Sequence, residues 1–188
     1  MRLRFAEVPE QLYFTDSAAA NELIARDPIA LLIGFVLDQQ VTVQKAFMGP
    51  LVLKERVGTL DARELASTDL ELAFRERPAL HRFPGAMAKR VHDLAVCVSD
   101  EYDGDAGRIW GEARDAEDLR ARLSGLPGFG EMKVSALAAV LSKRFAVRAA
   151  DGLVPGHPTL GDVDSAQALA EYQAGKRAHK AQMRATRG

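Results

Sequence analysis

The stretch Leu126-Pro127-Gly128-Phe129-Gly130, with Lys133 three positions on, is the part of this 188-residue chain best suited to hold an anion. Glycine takes positive φ without strain and carries no Cβ, so a ligand can come close to its backbone. Helical spacing surrounds the two glycines. Leu119 and Leu123 fall on a run over 116–124, and Val134, Leu137, Ala138, Leu141 and Phe145 share one face after the turn. The pattern predicts helix, Gly-x-Gly hairpin, helix over about 116–145. The second helix then begins with unpaired amides and the positive end of its dipole facing outward, which suits a phosphate. A plain structural turn is the alternative for these five residues. A second polar cluster, Asp38-Gln39-Gln40, abruptly ends the apolar run Ala30–Leu37; the alternative there is a capped, solvated helix end.

The elements that must position these groups read as helices throughout. A short helix is predicted over Ser17–Arg26. Pro28 opens a second, apolar on all sides to Leu37 and therefore buried. Thr42–Val57 continues as helix, with an interruption expected at Gly49-Pro50. Short pieces follow at 61–66 and 69–76, and Pro84-Gly85 opens a longer helix to about Tyr102. Residues 152–161 read as a Gly/Pro loop, and two helices, about 164–173 and 175–186, are expected after it. The fold class is all-α, with no internal repeat.

Composition narrows the function classes. The apolar fraction is 47% and the charged fraction 27%, ordinary for a soluble globular protein of one domain. The N-terminal residues show no signal-peptide pattern, and no apolar run is long enough to span a bilayer, so a cytoplasmic protein without a membrane partner is expected. The single cysteine, Cys97, excludes an internal disulfide and a four-cysteine iron–sulfur cluster, and its apolar neighbours mark it as core. The net charge of −1 argues against a protein that coats nucleic acid, though not against one that grips a few phosphates. Residues 100–118 are strongly acidic and are expected to face away from DNA. Lys176, Arg177, Lys180, Arg184 and Arg187 stand in a C-terminal stretch without acids, either a salt-sensitive attraction or a solvated helix. His81, His92, His157 and His179 show no metal-ligand spacing and read as surface residues.

The hairpin resembles the Leu-Pro-Gly-Val-Gly helix-hairpin-helix of the HhH-GPD superfamily of base-excision DNA glycosylases. Asp38-Gln39-Gln40-Val41-Thr42 is similar to the Gln-Gln-Val-Ser segment of its alkylpurine members, and Phe83–Arg90 more weakly to the helix that precedes the hairpin. The matches cover about residues 28–155. The resemblance implies two α-helical lobes flanking a cleft within one domain over 1–188: middle helices (about 59–150) against the N-terminal and C-terminal helices. It implies a monomer, bacterial and nucleoid-associated, that grips double-stranded DNA without reading sequence and flips out one base. Leu126, Gly128, Phe129, Gly130 and Lys133 would then meet the backbone, with a solvated Lys133 as the alternative. Gln39 or Gln40 would fill the hole left by the base. A monovalent cation, Na+ or K+, would sit on the carbonyls of Ser124, Leu126 and Phe129, with no other cofactor.

The superfamily's chemistry needs a carboxylate against the cationic sugar of the transition state, at a loop-to-helix junction. Asp151, 25 residues after Leu126, is the expected catalytic residue, although the loop after it departs from the family pattern. Bifunctional members place a nucleophilic lysine two residues after the last glycine. Here that position is Met132, expected to face the cleft, so a monofunctional glycosylase is expected. A non-catalytic helix-hairpin-helix DNA-binding protein is the alternative.

Overall fold

The computed structural model describes residues 8–186, which hold ten α-helices and two 3₁₀ turns and no strand. The first three helices are α1 (Ala18–Arg26), α2 (Pro28–Leu37) and α3 (Val43–Val57). Local chemistry sets their starts. Ser17, Asp27 and Thr42 each accept a hydrogen bond from a first-turn amide, and Pro28 follows its cap at the position where its missing N–H costs nothing. Nine of the ten residues of α2 are buried, so this apolar helix forms the centre of the packing.

The interruption expected at Gly49-Pro50 does not occur: α3 runs through Pro50. Packing outweighs the lost hydrogen bond. A Cβ at Gly49 would lie 2.3 Å from Leu37 Cδ1, so glycine there lets α3 press onto α2.

Two short helices, α4 (Ala62–Ala66) and α5 (Glu71–Arg75), lie against the long α6 (Pro84–Glu101). The hairpin region follows as α7 (Arg108–Gly111), α8 (Ala116–Ser124) and α9 (Glu131–Phe145). Residues 148–153 and 160–162 are 3₁₀ turns packed on α9 where a plain loop was expected. Gly161 explains the close fit, because a Cβ there would stand 2.5 Å from the Ala139 carbonyl oxygen. The C-terminus is one helix, α10 (Ala166–Ala185), not two. The division expected near residue 174 does not occur: the glycine there, Gly175, costs a helix only about 1 kcal/mol, and good helix formers flank it. One contiguous apolar core runs from Leu12 to Leu169. Cys97 packs against its edge, and burial pushes its thiol up to about 11.

Candidate functional site

α8 is capped by Asp115 and closes at Gly125, after which Phe129 N–H donates to the Leu126 carbonyl at 3.2 Å. Pro127 and Gly128 fill the middle of this turn, and Gly128 has φ +82°, which makes it a type II turn. Gly130 is different. Its φ is −81°, so only one of the two glycines uses the left-handed region. A Cβ at Gly130 would meet nothing within 4 Å. Neither conformation nor packing demands glycine there. Gly130 caps α9 without a side-chain hydrogen bond, and the first intrahelical bond is Val134 N–H to its carbonyl at 3.0 Å. The hairpin thus presents an open helix N-terminus. Glu131, in the first turn, reaches only toward Arg120 at 3.9 Å and is well exposed.

Leu126 and Phe129 are buried, so any contact they make with a ligand is through the backbone. The Leu126 carbonyl, one of three expected to hold a cation, already accepts the Phe129 amide. Among the described residues, no cluster of three or more His, Cys, Asp or Glu side chains could hold a metal ion.

Met132 and Lys133 lie in different surroundings at the start of α9. Met132 is 88% exposed. Lys133 is half-buried, and its Nζ donates to the Val36 carbonyl at 3.1 Å. Half-buried and engaged, it is not the freely solvated residue of the alternative reading. The 100° step between successive helical residues turns it onto the end of α2. Burial pushes its pKa down, the Asp38 carboxylate opposes that, and Arg90 adds to it. Asp38 caps the end of α2. Burial pushes its carboxyl up, against the pull of Lys176 and Lys133.

Arg90 on α6 joins the two motifs. Its guanidinium donates to Gln39 Oε1, and its Cδ would lie 3.9 Å from a Cβ at Gly128. The hairpin and the Gln-Gln turn, some 90 residues apart in sequence, are neighbours through this one side chain. Gln39 is engaged and half-buried, whereas Gln40 is exposed, with φ +55°. Non-glycine residues with positive φ cluster at ligand-binding positions more often than chance.

His81 is 1% exposed, not a surface residue. Phe83 N–H donates to its Nδ1 at 3.0 Å, so the ring proton sits on Nε2, which donates to the Leu37 and Gln39 carbonyls at 3.1 Å each. Burial pushes its pKa down. Arg56 holds the loop before it, donating to the carbonyls of Ala73, Glu76 and Pro78. Beside this clamp stands Phe83, part-exposed with Arg82 4.9 Å above its ring. Arg90, His81, Asp38 and Phe83 were missed from the sequence as site residues. Asp38, Phe83 and Arg90 stood within segments that carried the resemblance, and His81 had only its nearness to Phe83 as a signal.

Asp151 does not join this cluster. It lies in the first 3₁₀ turn, exposed, and accepts a 2.6 Å hydrogen bond from Ser142 Oγ. Ser142 is 12 residues beyond Gly130, about 18 Å along α9, at the end away from the hairpin. The carboxylate at the junction into α10 is the exposed Asp164, immediately before Ser165, the side-chain cap of that helix. Two hollows in the surface, one lined by Arg75, Arg77, Pro78, Ala79 and Pro84, the other by residues of 66–71 with Gly85, Ala88, Lys89 and His92, lie outside the cluster.

A scan against protein-family models, a search of curated proteins and a search of solved structures each found no match to this chain.

Proposed function

We propose that the chain is a monofunctional base-excision DNA glycosylase, which grips duplex DNA through the 126–130 hairpin and hydrolyses the N-glycosidic bond of a base flipped toward the Gln39–Gln40 turn. One observation supports the reading: Arg90 donates to Gln39 and its side chain also lies beside Gly128, so the turn before the open N-terminus of α9 and the turn that carries exposed Gln40 are neighbours. Phosphate on the N-terminus of α9 fixes register without reading bases. Gln40 is the amide proposed to enter the duplex, and Phe83, linked through His81 to the same turn, is an exposed ring on which a base can stack.

In the hydrolytic step a water oxygen bonds to C1′ while the C1′–N bond breaks, its electron pair leaving with the base. A carboxylate stabilises the cationic sugar and takes the proton of the water. Asp164 fits the junction that the resemblance calls for better than Asp151 does, and Asp38 is the carboxylate within the cluster. A panel of lesion duplexes assayed for base release, with Asp164→Asn, Asp151→Asn and Asp38→Asn in parallel, tests this. The expected result is base release from at least one lesion, cut about 100-fold by Asp164→Asn and little changed by Asp151→Asn. If Asp164→Asn excises like the parent, that assignment fails.

The second reading is a DNA-binding protein without chemistry. The distance of Asp151 from the hairpin favours it. Duplex binding with no base release from any lesion would establish it over the glycosylase.

A further inference from the structure

α10 is tied to the body only along its first half. Leu169 is buried, and Gln173 exchanges two hydrogen bonds with Gln44 of α3, at 3.0 and 2.6 Å. From Ala174 to Thr186 every residue is exposed, and no described residue covers this length, about 18 Å of helix. Its charges are one-sided. At 100° per residue, Lys176, Arg177, Lys180 and Arg184 fall within an arc of about 100°. Leu169 and Gln173 lie in the same arc. The face that packs on the body therefore continues past its edge as a basic face, flanked on one side by Ala174, Ala178, Ala181 and Ala185. A merely solvated helix has no need to gather its cations on its inner side.

We propose that this overhanging face of α10 is a second contact for the phosphate backbone of duplex DNA, running outward from the candidate site. The proposal rests on the DNA reading above. Lys176 marks where the helix leaves the cluster: its Nζ stands 5.3 Å over the Tyr172 ring and near enough to attract the Asp38 carboxylate. Charge selects the occupant. Glu171 is the last acid before the end of the helix, so the whole overhang presents one sign of charge to a polyanion. Lys176, Lys180 and Arg184 stand four residues apart in succession, and such like-charge pairs destabilise a helix until an anion sits among them. A membrane surface fits less well, because the rest of the overhang is alanine, glycine, glutamine, histidine and threonine apart from one large apolar group, Met183.

The test compares the full chain with the triple variant Arg177→Gln/Lys180→Gln/Arg184→Gln, and with Gly130→Asp, on an undamaged duplex over a salt series. Glutamine keeps the helix propensity, and none of the three arginine and lysine positions is buried. Each neutralised phosphate contributes about −0.9 to the slope of log K against log salt, so the triple variant is expected to flatten the slope by about 2.7. Amide exchange over 174–185 should slow when the parent binds duplex. An unchanged slope overturns the proposal, as does a parent that binds no duplex, which ends the glycosylase reading with it. Phosphatidylserine–phosphatidylcholine vesicles that bind the parent but not the triple variant, with the duplex slope unchanged, would make the occupant a membrane. If the triple variant flattens the slope while Gly130→Asp binds like the parent, the arm stands and the hairpin site falls.

Discussion

At the residue scale, the central group is His81. It is buried with both nitrogens engaged, and it holds the end of α2, the Gln-Gln turn and the start of α6 together. His81→Ala leaves two carbonyls and one amide without their partner and is expected to cost about 3 kcal/mol in urea unfolding. Its folded pKa is depressed below 6.5, so the unfolded chain binds more protons as pH falls. The histidine's contribution to stability is therefore fully present above about pH 6.5 and is lost as pH falls from there through the folded pKa. Asp38 has the opposite sign, since its raised pKa favours the fold at low pH. Subtracting the profile of His81→Gln from that of the parent isolates the histidine. A difference independent of pH between 7 and 5 would mean that the ring is not held neutral. Lys133 carries a second residue-scale prediction. With its amine on the Val36 carbonyl, borohydride should trap no covalent adduct on an abasic site. An adduct lost in Lys133→Ala would convert the proposed enzyme into a lyase.

At the element scale, the hairpin separates two roles of glycine. Gly128 holds φ +82° in a type II turn, so Gly128→Ala should destabilise the fold by about 1 kcal/mol. Gly130 is extended, in open space, at the cap of α9. Aspartate is among the best caps, so Gly130→Asp should leave stability equal or slightly higher. It also puts a negative charge where a phosphate is proposed to sit, and duplex affinity should fall by at least about 1 kcal/mol. Opposite signs in the two assays are expected. Loss of stability and binding together would make Gly130 a structural residue, and unchanged binding would remove the phosphate site.

At the scale of the whole molecule, one apolar core links all the helices up to Leu169. Trp110 is buried in the region of α7 and α8, far along the chain from α1–α3. Urea unfolding followed by Trp110 fluorescence and by far-ultraviolet circular dichroism should give coincident transitions, as one cooperative unit requires. Midpoints that differ beyond error would divide the chain into two units. The acidic stretch is also answered internally at this scale: Asp103 pairs with Arg63, Glu112 with Arg108, and Asp118 with both Arg114 and Arg122. Hydrogen bonds from Arg114 and Arg122 hold the Asp118 carboxyl down to about 2. Three of the eight carboxylates of residues 100–118 are therefore paired within the protein.

Local physics made the elements legible in the sequence by itself. The 3.6-residue period, the prolines at 28 and 84 and the hairpin glycines made the all-α class and most of the longer helices legible, while the caps Ser17, Asp27, Thr42 and Asp115 came from the structure. Where local signals failed, at Pro50 and Gly175, tolerance within a helix outweighed a breaker's average tendency. The tertiary structure alone decided which groups meet. Lys133 turns inward because the end of α2 lies under α9, His81 is buried because two carbonyls and an amide converge on it, and Arg90 joins segments with no relation in sequence. The candidate carboxylate shows the difference most clearly. Counting residues from the hairpin selects Asp151, but the chain after α9 first turns at the far end of that helix and then lies along it at Gly161, so the loop-to-helix junction falls at Asp164. Distance along the chain does not encode that return path, which the close fit of Gly161 on Ala139 and the Lys143–Asp162 pair hold against α9.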